Sequence, residues 1–443
     1  MLIKFRVAFF NHLIDLVLIE NTSYHEKIYR YRTGASYIMD FDLPARPTEK
    51  PNRTLNVILI ILCTCFQSVA YAALSLFLPL IKQDLSLSFT QGGTLSALAV
   101  FVYALMQIPA GFLADRYGLK KIFFIGVLGT TVLSLMFGLI TTYWQALFIQ
   151  GMSGIFRALL FAPGVALLAS WFPPERRATA MALSLVGMFA GQLIISLTGP
   201  FFVKHVNWRF PFIFFAFLGI LSSFVYLVFS KPSPFYRSAQ KISLKEVFDL
   251  FRHLFMWVCA GVQYVRLAVM MGITFWLPSL LIDEKGLSLQ VTGYIIALRS
   301  ALTVPSNLLG GFVSDRLKTP SLVIGVSLII LSITSVLIVI GNHMPLIIAA
   351  ILINAMFIQF YFGPIFAAPV EIYGPHMTGT LTGFGNFFAN LGAFSFVYLL
   401  GYLKDRTGLF ESGFYAIGGL CIIGIVFTVL MERMRLQMMK GSE

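Results

Sequence analysis

A chain of 443 residues that is 58% hydrophobic and only 12% charged, with a mean hydropathy of +0.84, is too apolar to fold as a soluble globule. Its net charge of +13 does not point to nucleic acid, because the Lys and Arg residues are scattered through short loops and form no single basic face. The four cysteines, Cys63, Cys65, Cys259 and Cys421, fall inside apolar stretches and the six histidines show no ligand spacing, so the chain reads as having no disulfide framework, no metal site and no cofactor.

Taken in chain order, residues 1–51 read as a cytoplasmic tail that holds six of the 19 acidic residues. The segment Val7 to Glu20 is weakly amphipathic, too short and too polar to span, and no signal-peptide pattern precedes it. Met39, just upstream of the first apolar stretch, is an alternative start. Between Leu55 and Met431 about twelve apolar stretches follow one another, each near the roughly 20 residues a spanning helix needs. The predicted fold is therefore all-α, with twelve transmembrane helices embedded in the lipid bilayer and no soluble domain.

The second half of the chain repeats the landmarks of the first. Leu78-Pro79 is matched by Leu277-Pro278, Gly93 by Gly293, Asp115-Arg116 by Asp315-Arg316, Pro163 by Pro364 and Gly191 by Gly392, at an offset of about 200 residues. This predicts two six-helix bundles in parallel repeat, residues 52–230 and 251–435, joined by a basic, proline-containing cytoplasmic linker at 231–250 and followed by a tail at 436–443. Arg116, Lys120, Lys121, Arg176, Arg177, Arg316, Lys318, Arg433 and Arg435 all fall on one side of such a chain. The positive-inside bias then places both termini in the cytoplasm, of a plasma membrane or of the inner membrane if the source is bacterial.

The stretch "GFLADRYGLKK", Gly111 to Lys121, lies between the second and third spans, and its echo "GFVSDRLK" begins at Gly311. With "WFPPERRATAMAL" after the fourth span, these motifs resemble the major facilitator superfamily of secondary transporters over roughly residues 52–435. The physics of the cluster agrees with that resemblance. Glycines allow close helix approach, and an acidic residue beside a helix N-terminus and an Arg can make contacts in one conformation that break in another. Gly111, Asp115, Arg116, Gly118, Asp315 and Arg316 are thus candidates for conformational gating, whereas a solvated turn alone would account for Lys120 and Lys121.

Three arginines lie within apolar spans: Arg157 in the fourth, Arg266 in the seventh and Arg299 in the eighth. An ionisable side chain at that depth normally faces a partner or a polar cavity. No carboxylate is well inside a span, the nearest being Glu371 at the cytoplasmic end of the tenth. A ligand is then the counter-charge, and the planar guanidinium fork suits carboxylate and phosphate. Helical spacing groups Gln150, Gly154 and Arg157 on one stripe and Thr292, Arg299, Thr303 and Ser306 on another. Gln67 and Tyr71 on the first span and Gln263 and Tyr264 on the seventh complete the candidate binding set.

Within the superfamily the arginines resemble those of the anion:cation symporters and the organophosphate:phosphate exchangers, which implies a small anionic organic solute such as a carboxylate, sugar acid or phosphate ester. Two departures qualify this. Gln150 and Arg157 stand where the first group has an Arg followed by a Glu, and Gln67 stands where the second has an Arg. Without a mid-membrane carboxylate the coupling ion, proton or sodium, stays open, with Glu371 as a candidate. The expected molecule is a monomeric transporter and not an enzyme; a drug or metabolite exporter of the same fold and a ligand sensor on that fold are the alternatives.

Overall fold

The computed structural model describes residues 53–172, 177–231, 252–373 and 378–440, and every regular element among them is helical. The first bundle holds α1 (Arg53–Leu85), α2 (Phe89–Tyr117), α3 (Leu119–Phe137), α4 (Tyr143–Ser170), α5 (Arg177–His205) and α6 (Arg209–Phe229). The second holds α7 (Leu254–Ser279), α8 (Leu289–Leu317), α9 (Pro320–Ile340), α10 (Met344–Phe360), α11 (Pro364–Tyr373), α12 (Thr378–Thr407) and α13 (Glu411–Lys440). The N-terminal tail to residue 52, the linker at 232–251 and Glu175–Arg176 of the "WFPPERRATAMAL" turn lie outside the described residues.

Eleven of the described helices are long and apolar enough to cross a bilayer. The remaining crossing is interrupted: α10, at 17 residues, gives way at Tyr361-Phe362-Gly363 to the 10-residue α11. Pro364 supplies the cause. Without an N–H it leaves the Phe360 carbonyl with no donor four residues on, and its ring disfavours helical geometry at Gly363. The matching Pro163 sits inside a continuous α4, so the same proline is accommodated in one half and breaks the helix in the other.

The repeat is written into caps and contacts. Ser88 caps α2 by accepting from the Gln91 amide, and Ser288 caps α8 by accepting from the Val291 amide. Gly191 of α5 lies so close to α1 that a Cβ would collide with the Cys65 carbonyl; Gly392 of α12 lies equally close to the Tyr264 carbonyl of α7. Both helix pairs thus dock backbone to backbone, as small residues permit in lipid.

The two bundles meet at the end where α1 finishes and α2 begins. There Gly93 of α2 abuts the Val397 carbonyl of α12, Gly401 of α12 abuts the Phe89 carbonyl, and Gly293 of α8 abuts the Ser196 carbonyl of α5. Asp405, from the last turn of α12, accepts hydrogen bonds from the Phe89 and Thr90 amides at 2.9 and 2.6 Å, so one bundle caps a helix of the other. Ser75 of α1 donates to the Thr274 and Phe275 carbonyls of α7 at 3.1 and 2.8 Å. The Thr274 carbonyl is free to accept because Pro278, four residues later, has no N–H. At the opposite end Gly111 and Gly311 face open space, and Ile108, Phe112, Leu308 and Phe312 are exposed.

Candidate functional site

Arg266 stands in the middle of α7, and its environment follows from the helix it is built on. Gln263, one turn earlier on the same face, accepts from the Arg266 Nε at 2.9 Å. The guanidinium carbon lies 5.0 Å from the ring centre of Phe362, in the break between α10 and α11. Arg266 is 4% exposed, and no ion pair joins it to a carboxylate among the described residues. Gly385 of α12 leaves the space that the Gln263 side chain fills, since a Cβ there would come within 3.3 Å of it.

Arg157 belongs to the other bundle. Its guanidinium carbon lies 4.1 Å from the Tyr71 ring centre on α1 and 5.4 Å from that of Tyr103 on α2, an arrangement in which the ring faces stabilise the cation. Its buried Nη1 has no hydrogen-bond partner. Gln67, Tyr71, Gln150, Ser153 and Arg157, with Thr130 and Ser134 of α3, line a cavity of about 40 Å³. That is space for a few waters. Tyr71 reaches across to α7, where its hydroxyl lies 3.3 Å from the Met271 sulfur.

The remaining expected residues are placed elsewhere. Arg299 of α8 donates through Nη2 to the Thr274 hydroxyl at 3.0 Å and is 5% exposed. Thr274 is eight residues beyond Arg266 on α7, about 12 Å along the axis, so Arg299 lies toward the closed end. Thr292, Thr303 and Ser306 on the same stripe are also buried, with Ser306 donating to the Met356 carbonyl of α10. Tyr264 is tied to Ser395 of α12 by a 2.6 Å hydrogen bond. Glu371 pairs with Arg435 of α13 at 2.7 Å, and Arg435 also pairs with Glu432 at 3.1 Å.

Asp115 and Arg116 end α2 in the open, where Asp115 makes no hydrogen bond or ion pair to a described residue and Arg116 lies 5.5 Å from the Tyr117 ring centre. Gly118 follows with φ of 92°, the turn that separates α2 from α3. In the second half Lys318 takes the same place with φ of 53°, and Arg316 is exposed; the side chain of Asp315 lies outside the described residues.

Several residues around these arginines were not singled out from the sequence. Gln359, Tyr361 and Phe362 lie at the break of the tenth span, and its signal is the Gly363-Pro364 pair. Tyr103 and Asp405 carry no spacing signal, since each acts on another element across the fold.

Comparison with known proteins follows the same outline. Residues 60–397 match the Major Facilitator Superfamily. A hexuronate transporter of Bacillus subtilis (strain 168) is 25% identical over 391 residues, 84% of this chain and 93% of that protein. A D-galactonate transporter of Escherichia coli O6:H1 is 23% identical over 424 residues, 88% of this chain and 98% of that protein. Among solved structures, a bacterial homologue of the human lysosomal transporter Spinster, in an inward-facing and unoccupied conformation, superposes with a TM-score of 0.73 at 19% identity, covering 88% of this chain and 99% of that one. Two repeated bundles that touch at one end and part at the other, with the family match running through both, lead to one assignment: the chain belongs to the Major Facilitator Superfamily.

Proposed function

We propose that this protein is a secondary transporter that carries a small organic anion across the membrane by alternating access, with Arg157 and Arg266 as the cationic groups that receive it. The observation that carries the reading is Arg266: a permanently charged, buried side chain at mid-span whose only hydrogen-bond partner among the described residues is the neutral Gln263. Leaving a charge buried without an opposite partner is costly, and a ligand carboxylate or phosphate relieves that cost. Arg157, with a buried and unpartnered Nη1, supports the same reading from the first bundle. The hexuronate and D-galactonate carried by two relatives are anions of this kind.

The positive-inside bias assigns the end bearing Lys120, Lys121 and Arg316 to the cytoplasm, with both termini there. The Asp405 and Ser75 contacts then close the outer side, and the exposed Asp115-Arg116 motif belongs to a parted cytoplasmic side. In this reading Gly111, Asp115, Arg116, Gly118, Asp315 and Arg316 act when the cytoplasmic side closes. Glu371, held by Arg435, fits a joint between α11 and α13 better than a mobile proton carrier.

The test is uptake of D-galactonate into proteoliposomes, with binding measured on purified protein. Arg266→Lys keeps the charge but loses the fork and is expected to weaken uptake markedly; Arg266→Gln is expected to abolish it nearly completely. Wild-type affinity in folded Arg266→Gln protein would end the assignment. Binding without uptake by the wild-type protein would make it a sensor.

A further inference from the structure

The break in the tenth span brings polar atoms near Arg266 that no described residue satisfies. The Gln359 Nε2 lies 3.7 Å from the Met270 sulfur, which leaves its Oε1 buried and without a donor. The Tyr361 hydroxyl is also buried and unpartnered, in a residue that is 0% exposed. Phe362, next in sequence, is the ring that lies over Arg266. Buried polar groups are almost always hydrogen-bonded, so two orphans at an irregular stretch of a membrane helix demand an account. Irregular backbone at membrane depth is tolerated where it serves a cavity or a bound solute.

We infer that Gln359 and Tyr361 read the hydroxyl groups of the cargo, so that the transported anion is a hydroxylated, multi-carbon acid or phosphate ester and not a bare anion. This rests on the assignment of Arg266 as the anion ligand. The chemistry follows from donor and acceptor type. An amide oxygen accepts and cannot donate, so Gln359 Oε1 has nothing to gain from the oxygens of a nitrate, sulfate or carboxylate; it requires an O–H or N–H. A protonated amine would meet the positive guanidinium, which leaves the hydroxyl as the fitting donor. Spacing points the same way. Met270, which the Gln359 side chain touches, is four residues from Arg266, about 6 Å along the helix axis. A solute with its charge on Arg266 therefore needs several carbons to place a hydroxyl at Gln359.

The experiment compares two six-carbon carboxylates, D-galactonate and hexanoate, which share the anion and differ in hydroxyl groups. Affinities are measured on the purified full chain in detergent, with melting temperature recorded for each variant. Wild-type protein is expected to bind D-galactonate at least about tenfold more tightly than hexanoate, as a site with unpaired polar groups discriminates against a ligand that cannot satisfy them. Tyr361→Phe and Gln359→Met, both close in size to the residue replaced, are each expected to weaken D-galactonate about five- to tenfold, the effect of one hydrogen bond, while hexanoate affinity stays within about twofold. Because the hydroxyl it removes is unpartnered, Tyr361→Phe is also expected to leave the unliganded melting temperature unchanged or raised. A lowered melting temperature with parallel loss of both acids overturns the inference, as does equal wild-type affinity for the two acids. If both variants bind like wild type while Arg266→Gln loses both acids, this inference fails alone. Retention of both acids by Arg266→Gln, or no binding of either acid to wild type, removes the anion site and the inference with it.

Discussion

At Arg157 the guanidinium is held by ring faces and not by an acid, and the geometry separates the contributions of the Tyr71 ring and its hydroxyl. The ring centre is 4.1 Å from the guanidinium carbon, close enough for a cation–π contact of about 0.5 to 2 kcal/mol. Among the described residues the hydroxyl's one hydrogen-bond partner is the Met271 sulfur, a weak acceptor. Tyr71→Phe is therefore expected to keep D-galactonate uptake within about twofold of wild type, while Tyr71→Ala loses the ring and is expected to lower uptake about fivefold, in line with the middle of that range of contact energy. Equal uptake in both variants would show that the ring does not hold Arg157 for the cargo. Thr130 and Ser134, which share the small cavity, direct their hydroxyls to backbone carbonyls at 2.9 and 3.3 Å and are expected to tolerate alanine better than Arg157 tolerates lysine.

Among the helices, close approach and backbone twist decide what is replaceable. Gly392 packs against the Tyr264 carbonyl, and Gly191 against that of Cys65; in each case the obstacle is backbone, which cannot swing aside like a flexible side chain. Gly392→Ala is expected to separate α12 from α7 and to cost about 1 to 3 kcal/mol, seen as a lower melting temperature in detergent. At the C-cap of α8 the sign is opposite. Lys318 is held at φ of 53°, where an L-residue carries a penalty of about 1 kcal/mol that glycine does not, and the matching residue of the first half is Gly118. Lys318→Gly is expected to raise the melting temperature, whereas Gly118→Ala lowers it; a fall in the first would mean that the lysine head makes an interaction worth more than the strain.

The whole molecule is a pair of bundles joined along three helix pairs, α2 with α12, α5 with α8 and α1 with α7, packed most closely toward one end. Asp405 brings a charge to this end: its two oxygens take the Phe89 and Thr90 amides, at the positive end of α2, from the other bundle. Asp405→Asn removes the charge and one acceptor, so the closed end is expected to open more often, and deuterium uptake by the peptide covering Ser88 to Gly93 is expected to rise several-fold. Unchanged exchange there would rule out Asp405 as a latch. At the opposite end Asp115 has no partner among the described residues, so its effect is expected in the other state. Asp115→Asn is expected to slow D-galactonate uptake at least about tenfold while leaving equilibrium affinity within a few-fold, a coupling of about 1 to 2 kcal/mol placed on the conformational step. Unchanged turnover would return the motif to a charged turn.

Much of this architecture is decided along the chain itself. Hydropathy and the 200-residue offset specify twelve crossings in two bundles, because apolar length and local caps such as Ser88 and Ser288 need no knowledge of distant residues. The three arginines within apolar spans were legible for the same reason, as charges in apolar runs with no carboxylate at their depth. Their neighbours were not. That Arg157 lies on Tyr71 and Tyr103, that Arg299 holds Thr274, and that Glu371 is taken by Arg435 depend on how helices face one another, which a period of 3.6 residues leaves unspecified. The repeat misleads at Pro364, where the span is broken, while the matching Pro163 sits inside a continuous helix. Sequence determined which charges stand inside the spans; only the tertiary structure decided what most of them touch across the fold, since partners such as Tyr71, Thr274 and Arg435 come from elements tens of residues away.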